Sequence, residues 1–175
     1  NYFNSYYRPN NVAICMSGEL DYTKTIQLIE KNFGDWKANE NLPTWERVQE
    51  KPIQSPKVAE VFGPQQERLS IGFRFDGTKN DTHAKVKLID MLLNNSKAGL
   101  IDLNLVQKQT VLRAGSYVNE LNDYNIHTFY GTAKQGQTLE DVKDLILEQI
   151  EAVKSGSFDD WLVEAVVNDL KKSVM

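Results

Sequence analysis

Apolar residues recur along this chain in two rhythms, and the rhythms alternate. Val12 to Ser17 is a short apolar run closed by Gly18, which predicts a buried strand. Asp21 then stands where a helix N-cap is wanted, and Tyr22, Ile26, Ile29 and Phe33 step by 4, 3 and 4 along one face. Gly34 follows at the position that favours a left-handed residue. Val58 to Phe62 and Leu69 to Phe75 are rich in β-branched and aromatic side chains, and Gly63-Pro64-Gln65-Gln66 between them predicts an antiparallel hairpin. In its second arm Leu69, Ile71, Phe73 and Phe75 alternate with Ser70, Gly72 and Arg74, so one side of that strand is buried.

The same two rhythms continue to the C-terminus. Thr82 opens a helix whose stripe is Val86, Ile89 and Leu93, and Asn94-Asn95-Ser96 stops it. Leu100 to Val106 fits a strand by alternation and a helix by residue type, and periodicity alone leaves both open. Arg113 to Leu121 and Ile126 to Thr132 read as strands around the turn residues Asn122-Asp123-Tyr124-Asn125. Thr138 with Asp141, and Ser157 with Asp160, carry the start signal of two amphipathic helices. The first has Leu139, Val142, Ile146, Ile150 and Val153 on one face; the second has Leu162, Val166 and Leu170. Hairpins separated by helices predict an α+β two-layer sandwich, with helices covering one face of a mainly antiparallel mixed sheet.

Composition narrows the classes of function. The chain has 175 residues, with 24 acidic and 20 basic side chains for a net charge of −4. That length suits one domain, and a domain of roughly 150 residues already buries about 70% of its surface on folding, so neither disulfides nor a structural metal are needed. The mildly acidic, mixed charge lacks the basic stripe that phosphate neutralisation needs, which argues against a nucleic-acid partner. No apolar run approaches the ~20 residues of a membrane-crossing helix. Asp35 to Lys57, with Pro43, Pro52 and Pro56, reads as one long ordered loop and not as a domain boundary, so residues 1–175 are taken together. The chain starts without methionine or a signal-peptide pattern and keeps a helical rhythm to Met175, as a piece excised from a longer polypeptide does.

Candidate chemistry is sparse. Catalytic zinc needs three protein ligands and an open position. The only histidines, His83 and His127, fall on different predicted elements, and neither H-E-x-x-H nor H-x-x-E-H occurs. Each reads as a surface or edge-of-core imidazole. Cys15, in Val12-Ala13-Ile14-Cys15-Met16, reads as a small buried hydrophobe without a neighbouring base. No G-x-S-x-G elbow is present. Gly131-Thr132-Ala133-Lys134-Gln135-Gly136-Gln137-Thr138 copies the spacing of a phosphate loop, but Gln137 replaces the lysine whose charge such a loop requires. Gly131 and Gly136 then shape a strand-to-helix connection and Thr138 caps the helix, with nucleotide binding through Lys134 as the minor alternative. Tyr2, Phe3, Tyr6 and Tyr7 have only Arg8 beside them, too little charge for base stacking, and their spacing fits one face of a short packed helix. Glu148, Glu151, Asp159, Asp160, Glu164 and Asp169 read as solvated helix faces.

Beyond composition and spacing, one resemblance is specific. Tyr7-Arg8-Pro9-Asn10-Asn11-Val12-Ala13-Ile14, then Ser17-Gly18-Glu19-Leu20-Asp21 and a helix ending Asn32-Phe33-Gly34-Asp35-Trp36, resembles the pitrilysin/insulinase (inverzincin) family of zinc metallopeptidases. The match is to the second, non-catalytic domain of each half, of the mitochondrial-processing-peptidase-like fold, over nearly the whole chain. The resemblance implies a helix at Leu100 to Val106. It also implies that zinc is held by a preceding domain of the parent and not by this piece, and that no residue here is catalytic. Its partners would be the sister domains of the same polypeptide and the parent's peptide substrate, enclosed in a chamber of which this domain forms a wall. A catalytically silent scaffold of the same fold is the alternative. Domains that help bind substrate from the opposite half carry an arginine and, seven residues on, a tyrosine; those positions hold Gln107 and Ala114 here, with Arg113 and Tyr117 out of register. No substrate role is assigned to any of them, which points to the wall domain of the zinc-bearing half.

Overall fold

The computed structural model describes residues 2–44, 46 and 48–173, so the predicted run of the last helix into Val174 and Met175 lies outside it. The chain forms two compact units, residues 1–54 and 55–175.

In the first unit, α1 (Tyr2–Tyr6) is followed by a 3-10 turn at Pro9–Asn11 and by α2 (Tyr22–Phe33). Tyr2, Phe3 and Tyr6 do lie on a short helix and Tyr7 directly follows it, but the rings pair with each other, Tyr2 with Tyr6 at 4.6 Å and Phe3 with Tyr7 at 4.7 Å, and Phe3 remains 61% exposed. Asp21 caps α2 as predicted, accepting from the Lys24 N–H at 3.0 Å. Gly34, predicted left-handed, is right-handed at φ −62, where its N–H still reaches the Glu30 carbonyl. The predicted strand Val12 to Ser17 does not form; Val12, Ile14, Met16 and Cys15 are exposed, so the buried reading of Cys15 is corrected. A strand needs a partner ladder as well as apolar residues, and none of the described residues provides one there. What organises this unit is polar. Asn10 pairs with Asn39 twice, Nδ2 donating to the Asn39 carbonyl at 2.8 Å and Oδ1 accepting its N–H at 3.1 Å, while the Asn39 amide donates to Ser5 O. Asn11 bonds the nearby Tyr6 carbonyl.

The second unit holds the sheet: β1 (Leu69–Asp76), β2 (Arg113–Asn119) and β3 (Tyr124–Thr132), antiparallel throughout, in the order β1-β3-β2. Ile71 and Ser116 both lie opposite Phe129. The α+β reading holds. The hairpin predicted between Val58–Phe62 and Leu69–Phe75 does not: Val58, Val61 and Phe62 are 87%, 94% and 92% exposed, and β1 pairs with β3. The predicted turn residues Tyr124 and Asn125 begin β3, which shortens that connection.

Helices cover the face carrying Leu69, Ile71, Ala114 and Phe129. They are α3 (Thr82–Leu93), a helical turn widening to π geometry over Asp102–Gln107, and α4 (Leu139–Ser155); α5 (Asp160–Ser173) packs on α3 and α4. The helix implied at Leu100 to Val106 is present. Leu93, Ile101, Leu105, Phe129, Val142 and Ile146 form the core on the sheet, and Leu92, Leu100, Leu162 and Val166 a second cluster. Ile89, assigned to the buried stripe of α3, is 39% exposed; Leu92 takes its place. Gly131 lies beneath α4, where a Cβ would collide with Val142, so the bare backbone lets the helix approach the strand. Of the two start signals one holds and one is corrected. α3 opens at Thr82 as expected, although Thr82 does not cap it and Asn80 Oδ1 takes its N–H at 3.0 Å and hydroxyl at 2.9 Å. Ser157 closes α4, its N–H meeting the Ala152 carbonyl at 2.8 Å beside left-handed Gly156, and α5 starts at Asp160.

Candidate functional site

The residues with chemical potential converge where α3 crosses β2 and β3. His127 is 3% exposed on β3, Ser116 is 6% exposed on β2, and both meet the Asp90 carboxylate of α3. His127 Nε2 lies 2.8 Å from Asp90 Oδ1, and the Ser116 hydroxyl donates to the same oxygen at 2.6 Å. A carboxylate only accepts, so Nε2 carries the proton. These are the residue types of a nucleophilic triad in the wrong connectivity. There the imidazole stands between serine and carboxylate and takes the hydroxyl proton; here the carboxylate stands between serine and imidazole. The arrangement ties a helix to two strands and leaves Ser116 unactivated.

His83 belongs to a separate cluster. Asn125, fully buried, accepts the Leu121 N–H at 3.0 Å, which fixes its amide so that Nδ2 donates to Asp76 O at 2.9 Å and faces His83 Nδ1 at 3.3 Å. Nδ1 therefore presents its lone pair, and the proton sits on Nε2, which faces Glu120 Oε2 at 3.8 Å, a carboxylate also held by Lys87 at 3.3 Å. Each imidazole thus has its own carboxylate. Among the described residues no three His, Cys, Asp or Glu side chains gather as metal ligands, so the donor set does not fit a zinc site.

The phosphate-loop spacing is likewise committed elsewhere. Lys134 Nζ donates to Gln109 O at 3.2 Å, its N–H meets Gln137 Oε1 at 3.3 Å, and Gln137 Nε2 donates to Thr110 O at 3.1 Å. At the helix start Asp141 already fills the anion position: Oδ2 accepts the Thr138 N–H at 2.9 Å and the hydroxyl at 2.6 Å, while Thr138 Oγ1 caps the Asp141 N–H. Those bonds, the side-chain one foremost, hold the Asp141 carboxyl below its usual value. A phosphate would meet that negative charge instead of open N–H groups.

The remaining sequence candidates stay apart. Gln107 ends the π turn and donates to Lys97 O at 3.1 Å, Ala114 is in the core, Arg113 is exposed at the start of β2, and Tyr117 lies on the open sheet face against Tyr130 at 6.3 Å. Glu151 pairs with Lys154 and Asp169 with Lys97, as solvated faces do. Sequence reasoning missed Asp90 and Ser116. Asp90 sits one position after the predicted stripe residue Ile89, and only its hydrogen bonds to Ser116 and His127 show that it points at the sheet.

With catalytic geometry lacking in the described residues, similarity decides the class. The profile described as the peptidase M16 inactive domain matches residues 1–170. The chain belongs to that family. It is a non-catalytic domain of the pitrilysin-like metallopeptidase class, which agrees with the resemblance carried by Tyr7–Asn11 and Gly18–Asp21. A solved protease from Helicobacter pylori has the same fold, with a TM-score of 0.80 and 20% identity over 99% of this M16 domain, which spans 42% of that longer chain. Among curated proteins none matches the sequence.

Proposed function

We propose that this M16 domain serves a zinc-dependent endopeptidase as a wall of its peptide-enclosing chamber, packing on a preceding domain that holds the metal. The observation that carries the reading is the family match over residues 1–170 in a chain without H-x-x-E-H. Its buried polar joint, Asp90 with Ser116 and His127, supports the same reading, because its bonds are spent on joining a helix to strands. In this role the domain offers surface and shape, the partners are the sister domains of its own polypeptide and the enclosed peptide, and zinc belongs to the parent.

The test is metal analysis and peptide cleavage on the isolated chain after dialysis against a chelator and return to zinc. Substoichiometric zinc and no cleavage are expected, with cleavage restored when the parent's preceding domain is added. One tightly held zinc per chain, or cleavage by the chain alone, would overturn the proposal. If the added domain itself lacks H-x-x-E-H and restores nothing, the silent scaffold replaces the peptidase wall.

A further inference from the structure

Where β1 turns into α3, the chain meets the connection between β2 and β3. The Gly77 N–H donates to Asp123 O at 3.0 Å and the Thr78 N–H to Leu121 O at 3.1 Å. Gly77 is buried so closely there that a Cβ would fall 2.1 Å from Asn122 O. Asn125 stitches the two sides together, its Oδ1 taking the Leu121 N–H at 3.0 Å and its Nδ2 giving one hydrogen to Asp76 O at 2.9 Å. The second hydrogen of that amide faces His83 Nδ1, 3.3 Å away on the first turn of α3. Turning the amide over would break the bonds to Leu121 and Asp76 together, so Nδ1 has to remain an acceptor.

This makes the corner depend on the charge of one ring. An imidazolium carries a proton on both nitrogens. Placed on His83, the added proton would face an amide hydrogen, and fully buried Asn125 would lose a partner where burial keeps water from replacing it. The charged groups around the ring do not offset that loss. Glu120, from the β2–β3 connection, lies 3.8 Å from Nε2, a nitrogen that already holds its proton in the neutral ring, and Lys87 of α3 already pairs with this carboxylate at 3.3 Å. Glu120 is also 40% exposed, so solvent screens any gain. β1 contributes Asp76, whose carboxylate accepts the Asn80 amide at 3.1 Å, and β3 contributes uncharged Asn125. His127 behaves otherwise, because its bond to Asp90 runs through a nitrogen that is protonated in both charge states.

We propose that His83 is a proton-sensitive latch, holding the β1–α3 corner on the β2–β3 connection when neutral and releasing it when charged. The inference does not depend on the peptidase reading. Its consequence is a corner that loosens across the range in which imidazoles titrate, about pH 8 to 5, where ordinary carboxylates keep their charge.

The experiment is hydrogen exchange on the full chain, read at the Leu121 amide that Asn125 holds, as protection relative to an unstructured amide at the same pH. Between about pH 8 and about pH 5 that protection is expected to fall about tenfold or more. In His83→Asn, whose side-chain oxygen can accept the Asn125 hydrogen and does not titrate, the fall is expected to vanish. Constant protection in the unaltered chain, or an equal fall in both chains, overturns the proposal. Nitrogen resonances of the unaltered chain decide the matter independently of variant folding. Neutral His83 is expected to carry its proton on Nε2, and the Asn125 side-chain amide to shift with the titration of the ring. A neutral ring protonated on Nδ1, or an Asn125 amide indifferent to the titration, would sink the idea.

Discussion

The two compact units of this chain solve the problem of holding a backbone in opposite ways. Residues 1–54 place Tyr22, Ile26, Leu28 and Phe33 on a well-capped helix and leave all four exposed, with side-chain amides such as Asn10 and Asn39 tying distant stretches together. Among the described residues the second unit buries thirteen apolar side chains to 9% or less, and its polar groups act where helix and sheet already touch. Amphipathic rhythm is thus a statement about what a segment offers; whether it is buried depends on the layer it meets.

That contrast can be broken most forcefully at two phenylalanines. Phe129 is 1% exposed and packs edge-on against Phe73 at 5.9 Å, so Phe129→Ala is expected to cost about 3–5 kcal/mol in urea unfolding. Phe33 is 48% exposed, and Phe33→Ala is expected to change stability by no more than about 0.5 kcal/mol. Similar losses at both sites would show that the first unit owns a buried core after all.

Next in size is the polar joint. Asp90→Ala leaves the Ser116 hydroxyl and the His127 N–H without their acceptor in a buried place, for an expected loss of about 2–3 kcal/mol, whereas Asp90→Asn keeps an acceptor and should cost less. Equal losses for the two variants would mean that the hydrogen bonds contribute nothing beyond side-chain size.

The smallest effect sharpens the role of local capping. Thr138→Ala should cost about 1 kcal/mol near neutral pH. Because Thr138 lowers the Asp141 carboxyl in the folded state, the part of the cap that runs through that carboxylate is present above the carboxyl's unfolded value and fades as pH falls through its folded one, while the bond from the Asp141 N–H to the Thr138 hydroxyl oxygen does not titrate. Stability measured against pH should therefore show the gap between the variant and the parent chain narrowing in acid. A gap that stays constant to low pH would detach the cap from Asp141.

These comparisons also explain what could be read from the sequence. The capping box at Thr138 and Asp141 and the cap at Asp21 depend on residues within a few positions of each other and were legible; strands β1, β2 and β3 were legible from their composition and alternation, though not the pairing of β1 with β3. So was the family resemblance, because Tyr7–Asn11 and Gly18–Asp21 are local motifs. Val12–Ser17 and Val58–Phe62 carry strand-like residues, but a ladder depends on another segment, and the alternation of one stretch does not name its neighbour. The Asp90 joint was hidden for the same reason. Its members lie 26 and 37 residues apart, and no rhythm in α3 reveals that an aspartate beside the apolar stripe faces the sheet. Asn10 likewise reaches 29 residues along the chain to Asn39, a partner that its local motif does not name.

One corner of the fold limits how the chain can be lengthened. Asn94 to Gly99 has the composition of a slack connection, yet buried Asp102 gathers the Asn95 and Gly99 N–H groups on a single oxygen at 2.9 and 3.2 Å, and Asn95 Oδ1 takes those of Lys97 and Ala98. A tag, label or inserted module placed there would dismantle the corner before it reached solvent, so grafts belong elsewhere on this domain, however inviting the string of small polar residues looks.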